Sequence, residues 1–304
     1  AEIRSPERRD LSLKLSLIGY PRGESERLDE LREIVAWLRI EGHAVAPRLT
    51  CETGDAMRYA RQAARARADL ILAAGGDGTV NEVVNGIGRA RWQPRLGILP
   101  MGTANDFAAG LGIPHDLEEA VRVAVSGRPI AADVASVNRR LFVNVSTGGF
   151  GAEATENTPA ETKRHLGALA YIITGVREFV ELRPTRARFT VGGHRFYEGE
   201  FLLFAVGNAR LTGGGSLITP RAEIGDGLLD LVVVKAMPRL EFLGLLPNLR
   251  AGTHLEHPGV LYAQTPSVVV NAEREISVNA DGEPMRDRRF RYGVRPRPVT
   301  VMVP

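Results

Sequence analysis

The chain has 304 residues, of which 44% are hydrophobic, 25% are charged and 6% are aromatic, with a formal net charge of +3. This length suggests two domains, and this composition excludes a disordered or fibrous chain. The single cysteine, Cys51, excludes an internal disulfide and a cysteine-based zinc cluster. The positive charge is too small to favour nucleic-acid binding, although it is compatible with an anionic lipid surface.

The N-terminal segment and the longest apolar runs carry no membrane-spanning signal. The first ten residues are charged and lack an apolar stretch, which predicts no signal peptide. Apolar runs such as residues 201–206 are far shorter than the ~20 residues that cross a bilayer. None of the three lysines follows a glycine, which excludes a phosphate loop of the Walker type. We therefore expect a cytoplasmic protein that can lie peripherally on the inner face of a membrane.

The first 134 residues alternate between strand and helix patterns. Predicted strands cover residues 13–20, 44–49, 69–74 and 96–100, and predicted helices cover 24–41, 55–68, 80–87 and 117–126. Strands that alternate with helices are typical of crossover units, in which neighbouring strands run parallel. We therefore predict an N-terminal α/β domain, residues 1–134, with a mainly parallel sheet.

After about residue 132 the pattern changes to short strands separated by turn residues. Residues 135–137 and 141–145 flank Asn138-Arg139-Arg140 as a predicted hairpin. Further predicted strands cover 185–191, 196–204, 228–234, 260–265, 267–271, 275–279, 290–294 and 299–303, and predicted helices cover 162–182 and 238–250. This pattern predicts a C-terminal antiparallel sandwich or barrel over residues 135–304, whose last strand can pack back on the N-terminal domain.

A glycine-rich turn follows the third predicted strand, with the sequence GGDGTVNE over residues 75–82. Glycines let backbone N–H groups approach phosphate oxygens, and a helix N-terminus attracts anions. Asp77 can hold a magnesium–phosphate network, or it can cap the helix in an ordinary strand-to-helix turn. The turn is not a dinucleotide fingerprint, because Asn81 stands where that motif has glycine or alanine.

A second glycine-bearing turn follows the fourth predicted strand, with the sequence LPMGTANDFA over residues 99–108. Turns at the carboxyl ends of neighbouring parallel strands line one crevice, which is where such sheets bind ligands. Thr103 and Asn105 offer hydrogen bonds in this crevice, although Asn105 or Asp106 can also cap the following helix.

These two turns resemble the diacylglycerol kinase catalytic domain and, within that family, the bacterial YegS-like lipid kinases. Further similar motifs are TCETGDA over residues 50–56, TGGFG over 147–151, GDGLL over 225–229 and NADGEP over 279–284. The resemblance covers nearly the whole chain and keeps the order of the motifs. It implies an α/β nucleotide-binding domain followed by a β-sandwich.

The resemblance also implies which residues bind ATP and a divalent metal. The implied ATP-binding residues are Thr50, Gly76, Asp77, Gly78, Thr79, Val80, Asn81, Glu82 and Thr103. Glu82 is expected to order the turn or to contact the nucleotide through hydrogen bonds. The implied ligands of a structural metal are the carboxylate of Asp226 and the backbone carbonyls of Glu223 and Leu228, a set that suits Mg²⁺ or Ca²⁺. Relatives can have an aliphatic residue at Glu223, and the residues alone favour a plain turn here.

Glu283 is the implied general base, because the matching glutamate of the family is the proposed proton acceptor. Asp281 lies two residues earlier, so in an extended chain both carboxylates would point to the same side. One could then accept the proton while the other orients it or a water. The dipeptide Asp281-Gly282 by itself favours an ordinary acidic β-turn.

Together these expectations describe an ATP-dependent lipid kinase that uses Mg²⁺, with phosphatidylglycerol or a related glycerolipid as the acceptor. The expected partners are a phospholipid or another lipid acceptor and a membrane surface, without nucleic acid, and the sequence does not predict an oligomeric state. One alternative is an enzyme resembling NAD kinase, which shares the sequence GGDGT. Another is a regulator that binds lipid or nucleotide without catalysis.

Two further patterns favour structural interpretations. His254 and His257 are three residues apart, but no third zinc ligand is evident, so a solvent-facing helix end is favoured. Six arginines between residues 286 and 297 could meet anionic head groups, yet alternating arginines on a strand are typical of a solvated face.

Overall fold

The computed structural model describes residues 12–19, 25–88, 93–149 and 184–304. The first part contains strands β1 (Lys14–Gly19), β2 (Ala44–Leu49), β3 (Leu70–Gly75) and β4 (Arg95–Pro100), with helices α1 (Ser25–Ile40), α2 (Asp55–Arg65), α3 (Asp77–Ile87), α4 (Asp106–Gly110) and α5 (Leu117–Ser126). The second part contains β5 (Arg128–Val137), β6 (Arg140–Phe142), β7 (Val145–Gly149), β8 (Thr185–Val191), β9 (His194–Gly207), β10 (Leu229–Lys235), helix α6 (Arg239–Ala251), β11 (Val260–Thr265), β12 (Ser267–Ala280) and β13 (Glu283–Val303). The predicted helix 162–182 lies outside the described residues, as do Tyr20, Glu24, Phe150 and Gly151.

The N-terminal strands form a parallel sheet in the order β4-β3-β1-β2. All six residues of β3 are buried, as expected for a strand covered on both faces. Helix α5 packs closely on β4, because a Cβ atom at Gly97 would lie only 2.5 Å from the Cβ of Ala124. The predicted α/β domain with a parallel sheet is confirmed.

The C-terminal strands pair antiparallel in the order β11-β10-β9-β7-β12-β13, and β8 pairs with both β9 and β12. One buried core contains Phe189, Phe201 and Phe204, whose ring centroids lie 5.4 to 5.6 Å apart. A second core lies where α6 covers β7, β9 and β10. The predicted antiparallel C-terminal domain is confirmed.

Strand β13 joins the two halves of the chain. It pairs antiparallel with β12 and β5, and then parallel with β4 at Val301 and Leu96. The apolar side chains of its last five residues belong to the N-terminal core. The proposed domain boundary between residues 134 and 135 lies inside β5, which runs alongside β13.

Several strands differ in length from the prediction. Strands β12 and β13 each continue through two predicted strands, because they form one long hairpin whose two-residue turn is Asp281-Gly282. The predicted strand 141–145 is divided, since β6 ends at Phe142 and β7 begins at Val145. Backbone pairing over long distances decides these bounds, and local sequence patterns do not report it.

The end of α6 differs from the expected solvent-facing helix end. His254 is fully buried, and its ring nitrogens lie 3.3 Å and 3.1 Å from the backbone oxygens of Asn248 and Ile218. Burial lowers the pKa of this imidazole. His257 lies 3.6 Å from Glu241, so the two histidines have different partners.

No helix in the described parts of the chain has the length and apolar character needed to cross a membrane.

Candidate functional site

The two glycine-bearing turns touch each other at the carboxyl ends of β3 and β4. Gly75 pairs with Pro100 across the strands, and the backbone amide of Met101 donates to the oxygen of Gly75 at 3.1 Å. A Cβ atom at Gly102 would lie 2.4 Å from the Cα of Gly76, which is closer than real Cβ contacts. Gly76 and Gly102 are therefore required by the contact between the turns.

Gly78 differs from these two glycines because it faces open space. It lies in the first turn of α3 and is exposed, and a Cβ atom there would meet nothing within 4 Å. Helix α3 has 11 residues, and its first amides have no partner within the helix. An open, glycine-bearing helix N-terminus of this kind can bind an anion such as a phosphate.

Asp77 holds the start of α4. Its carboxylate accepts hydrogen bonds from the amides of Asp106 and Phe107 at 3.1 Å and 2.9 Å. It also accepts one from Nδ2 of Asn144, which lies just before β7, at 3.1 Å. Asp77 thus caps a neighbouring helix instead of its own, and it links the first glycine-bearing turn to the C-terminal domain.

Glu82 holds the start of α2 in the same way. Its two carboxylate oxygens accept hydrogen bonds from the amides of Gly54 and Ala56 at 2.9 Å and 3.1 Å. Thr50, just before this segment, is buried and its hydroxyl donates to the oxygen of Gly19 at 3.2 Å. These contacts order the turns around the crevice, and nucleotide binding by both residues remains a prediction.

The other predicted ATP-binding residues lie around the same turns. Val80 is buried in the N-terminal core, so it offers only its backbone to a ligand. Thr79 is half-buried against Gly75, and Thr103 is exposed on the second turn. Asn81 donates from Nδ2 to the carboxylate of Asp281 at 2.7 Å. Thr50, residues 76–79 and Thr103 thus follow β2, β3 and β4 at one edge of the sheet, whereas Asn81 and Glu82 lie further along α3 and their side chains hold neighbouring segments.

Asp281 is the central acceptor of the β12–β13 turn. Besides Asn81, its carboxylate accepts hydrogen bonds from the amides of Val143 and Asn144 at 2.6 Å and 3.0 Å. Its backbone is left-handed, with φ of 49°, and Gly282 follows with φ of 88°, as a tight hairpin turn requires. Burial, together with the nearby charge of Asp77, raises the pKa of Asp281 to about 6, although these hydrogen bonds act to lower it.

Glu283 lies at the first position of β13 and has a different partner. Its side chain is 55% exposed and lies 3.5 Å from the guanidinium of Arg140. The extended chain on which Asp281 and Glu283 would point to the same side is absent, because Asp281 occupies a left-handed turn. Of the two residues, Glu283 is the more exposed.

A further carboxylate, that of Asp106, holds a loop of the C-terminal domain. It is buried, and it accepts hydrogen bonds from the amides of Gly214 and Gly215 at 3.0 Å and 2.7 Å. Burial raises the pKa of Asp106 above its ordinary value, and the negative charge of Asp77 acts in the same direction. The three glycines at 213–215 thus form a tip that lies beside the second turn.

The predicted metal ligands lie in the turn before β10. Asp226 is exposed and accepts a hydrogen bond from the amide of Leu228 at 2.8 Å, and Glu223 is also exposed. Asp133 fixes this turn, since its carboxylate accepts from the amides of Gly227 and Arg297 at 2.6 Å and 2.7 Å. Within the described ranges, no three His, Cys, Asp or Glu side chains are grouped to hold a metal. The site at Glu223, Asp226 and Leu228 remains a prediction.

Sequence reasoning missed Asn144 and Arg140 as site residues. Asn144 is buried, and its Oδ1 has no hydrogen-bond partner in the part of the chain described. Its signal was a polar residue inside the apolar run LFVNV at residues 141–145, because a buried polar side chain needs partners. Arg140 carried no signal, since only the β5–β6 hairpin brings it to Glu283.

Two family models match this chain. The model described as the diacylglycerol kinase catalytic domain matches residues 16–137, and the model described as the YegS C-terminal NAD kinase beta sandwich-like domain matches residues 144–303. The second model alone covers more than half of the chain. Their order along the chain is the one that the resemblance implies.

Curated relatives match over almost the whole length. A probable lipid kinase YegS-like from Chromohalobacter salexigens is 40% identical, covering 93% of this chain and 91% of its own. A protein of the same name from Pseudomonas aeruginosa is 39% identical, covering 93% and 92%.

Solved structures share the fold. A Bacillus anthracis structure, described as a proposed diacylglycerol kinase, has a TM-score of 0.85 at 26% identity, covering 100% of this chain and 99% of that one. An NAD kinase from Archaeoglobus fulgidus, solved with ATP, has a TM-score of 0.53 at 14% identity, covering 95% and 93%, and shares the fold alone. These matches confirm the resemblance drawn from the motifs. The chain belongs to the YegS-like family of diacylglycerol kinase catalytic-domain proteins.

Proposed function

We propose that this protein is an ATP-dependent lipid kinase, which transfers the γ-phosphoryl group to a hydroxyl of phosphatidylglycerol or a related glycerolipid. The names of its curated relatives support the lipid kinase class. The observation that carries the proposal is a hydrogen bond between the two halves of the site. Asn81, in the helix that follows the glycine turn, donates to Asp281, two residues before the exposed Glu283.

The glycine turn is the proposed phosphate site. Residues 76–79 bring the open N-terminus of α3 to the crevice, where backbone amides and the helix dipole favour anions. Thr50 and Thr103 border the same crevice and can donate hydroxyl hydrogen bonds. Phosphoryl transfer depends mainly on positioning and charge stabilisation, so a rigid cradle of this kind suits the reaction.

Glu283 is the proposed general base. In this step the lipid hydroxyl oxygen forms a bond to the γ-phosphorus, its proton passes to the Glu283 carboxylate, and the bond from the γ-phosphorus to the β,γ-bridging oxygen breaks to release ADP. A positioned base of this kind contributes ~10²–10⁴-fold. The network around Asp281 fixes the turn that carries Glu283, and Arg140 lies beside the carboxylate.

The donors around Asp77 fit the divalent cation that accompanies ATP. Asp77 supplies carboxylate oxygens, and Asn144 supplies a buried amide oxygen that lacks a partner among the described residues. Such oxygen donors suit Mg²⁺. When bound, the cation neutralises phosphate charge during transfer.

The test offers acceptors of different classes to the full chain. The protein is incubated with γ-labelled ATP and Mg²⁺, with NAD in one reaction and with vesicles of phosphatidylglycerol, diacylglycerol or phosphatidylcholine in the others. We expect label in phosphatidylglycerol. Label in NAD alone would assign the protein to the NAD kinases, and ATP binding without transfer to any acceptor would make it a regulator.

A further inference from the structure

Helix α6 carries a second apolar side that nothing in the described structure covers. Its inner side packs on the domain through Phe242, Leu245, Leu246 and Leu249. On its outer side, Leu240 is 83% exposed and Leu243 is 37% exposed. Residues three apart are neighbours on a helix surface, so the two leucines form one patch. Across the described residues, the other large apolar side chains with such exposure are Ile40 and Leu49.

The rest of this outer side is uncharged at its centre and basic along one edge. At about 3.6 residues per turn, Gly244, Pro247 and Ala251 fall on the same side as the leucines. Arg239 and Arg250 lie along one edge of this side, one near each end of the helix, and neither forms an ion pair with a described residue. Glu241 lies along the opposite edge, beside His257. We call the five residues Arg239, Leu240, Leu243, Pro247 and Arg250 the α6 face.

The end of α6 is connected to the candidate site by one short loop. The backbone oxygen of Arg250 accepts a hydrogen bond from the amide of Leu217 at 3.1 Å. A few residues earlier in that loop, Gly214 and Gly215 donate to Asp106, which begins the helix held by Asp77. The C-terminal end of α6 is therefore linked, through residues 214–217, to the second glycine-bearing turn of the candidate site.

We infer that the α6 face binds the surface of an anionic lipid bilayer. Leu240 and Leu243 would enter the boundary between head groups and acyl chains, while Arg239 and Arg250 would contact lipid phosphates, as in interfacial amphipathic helices. Two leucines offer far less than the roughly 800 Å² per partner that a stable protein interface buries, which disfavours a second copy of this chain. The inference rests on the proposed function, because a lipid acceptor resides in such a surface.

The first test measures binding without catalysis. The full chain is sedimented, without ATP, with vesicles of phosphatidylcholine or of equal parts phosphatidylcholine and phosphatidylserine, an anionic lipid that is not a proposed acceptor. We expect binding to the anionic vesicles, and a loss of about tenfold in affinity for Leu240→Ser. Ile40→Ser is the matched control, because Ile40 is 82% exposed on α1, and it should bind as the wild type does.

Charge is tested separately. Arg239→Gln together with Arg250→Gln should weaken binding to the anionic vesicles by about tenfold or more and reduce its dependence on salt. All of these side chains are exposed, so thermal unfolding should stay unchanged in each variant. Equal weakening by Leu240→Ser and Ile40→Ser, or no binding of the wild type to anionic vesicles, would overturn the inference. So would a change of oligomeric state in Leu240→Ser, because the face would then join copies of the chain.

A second measurement separates this inference from the proposed function. With a water-soluble short-chain phosphatidylglycerol as the acceptor, the Leu240→Ser variant should have the turnover rate of the wild type. With vesicles as the acceptor, its turnover rate should fall in parallel with its binding to the vesicles. If the wild type phosphorylates no lipid and yet binds anionic vesicles through Leu240, the inference holds and the proposed acceptor fails. If binding is unaffected while vesicle turnover falls, the α6 face does not dock and the inference is overturned.

Discussion

The turn at the start of α3 and the turn between β12 and β13 both carry acidic residues, and they use them differently. In the first turn, Asp77 and Glu82 both accept hydrogen bonds from the backbone of neighbouring helices. In the second, Asp281 is engaged in the same way, while Glu283 is exposed beside one arginine. An acidic residue in a motif is thus a candidate base only where its oxygens are not already used to hold the fold.

The engaged carboxylates assemble the site from separate pieces of chain. Glu82 joins α3 to α2, and Asp77 joins α3 to α4. Asp281 joins α3 to the segment before β7. A side-chain cap of a helix N-terminus contributes about 0.5–2 kcal/mol of stability. The loss of any one of these carboxylates should therefore loosen the site as well as the fold.

The largest expected effect separates Glu283 from the engaged acids. Glu283→Gln keeps the size of the side chain but cannot accept the proton, so turnover should fall by ~10²–10⁴-fold while ATP affinity stays near the wild-type value. Steady-state kinetics and calorimetry with ATP measure the two quantities. Asp287→Asn, an exposed acid on the same strand, is the matched control and should keep its activity.

Retention of more than about a tenth of wild-type turnover by Glu283→Gln, when chemistry limits the rate, would assign the base elsewhere.

The second prediction divides the glycines of the first turn into two kinds. Gly78→Val should fold normally, since the position is open, and should lower ATP affinity on the order of a hundredfold, because each hydrogen bond to a charged group contributes about 1.5–3 kcal/mol. Gly102→Val should instead destabilise the protein, since its side chain would meet Gly76. Calorimetric ATP titration and thermal unfolding distinguish them. Unchanged ATP affinity in a folded Gly78→Val variant would make this turn purely structural.

Much of the fold and the positions of the site turns could be predicted from the sequence. The strand that ends at Gly75 and the helix that follows it depend on local sequence. The spacing of their apolar residues and the turn residues between them therefore predict both elements well. The same holds for the antiparallel character of the second half, which follows from short strands separated by turn residues. The motif order then indicated the family, which supplied the expected roles of the residues.

Which acidic residues are held by hydrogen bonds and which are exposed could not be predicted from the residues themselves. Asp281 and Glu283 look equivalent in the sequence, and their difference depends on a left-handed turn and on donors more than 130 residues away, such as Val143. The burial of His254 escaped prediction for the same reason, because its partner Ile218 lies in a distant loop. Contacts between residues far apart in the chain leave no local period.

The third prediction tests whether Asp281 is enclosed. Its pKa is raised from 3.8 to about 6 in the folded protein. Between these two pH values the folded state therefore keeps a proton on Asp281 that the unfolded state has released. This contribution to the free energy of unfolding is full below the ordinary pKa of 3.8 and is lost as the pH rises through about 6. Relative to Asp281→Asn, the wild type should therefore lose about 2–3 kcal/mol between about pH 4 and pH 7. Denaturant unfolding of both proteins measures the difference, and parallel pH dependences would show that the carboxylate is solvated.

The smallest expected effect concerns Arg140. Among the described ion pairs, its guanidinium is the positive charge that lies beside Glu283, at 3.5 Å. Both side chains are well exposed, at 42% and 55%, and exposed ion pairs contribute about 0–1 kcal/mol. If Arg140 only accompanies the base, Arg140→Gln should change turnover by less than about fivefold, and high salt should remove the difference because it screens the wild-type pair. Steady-state kinetics at low and high salt, with Arg122→Gln as the control for an exposed helix pair, measure this effect. A loss of about a hundredfold that salt does not remove would mean that Arg140 contacts the phosphoryl group or the acceptor itself, and the β5–β6 hairpin would then supply a cation beside the base.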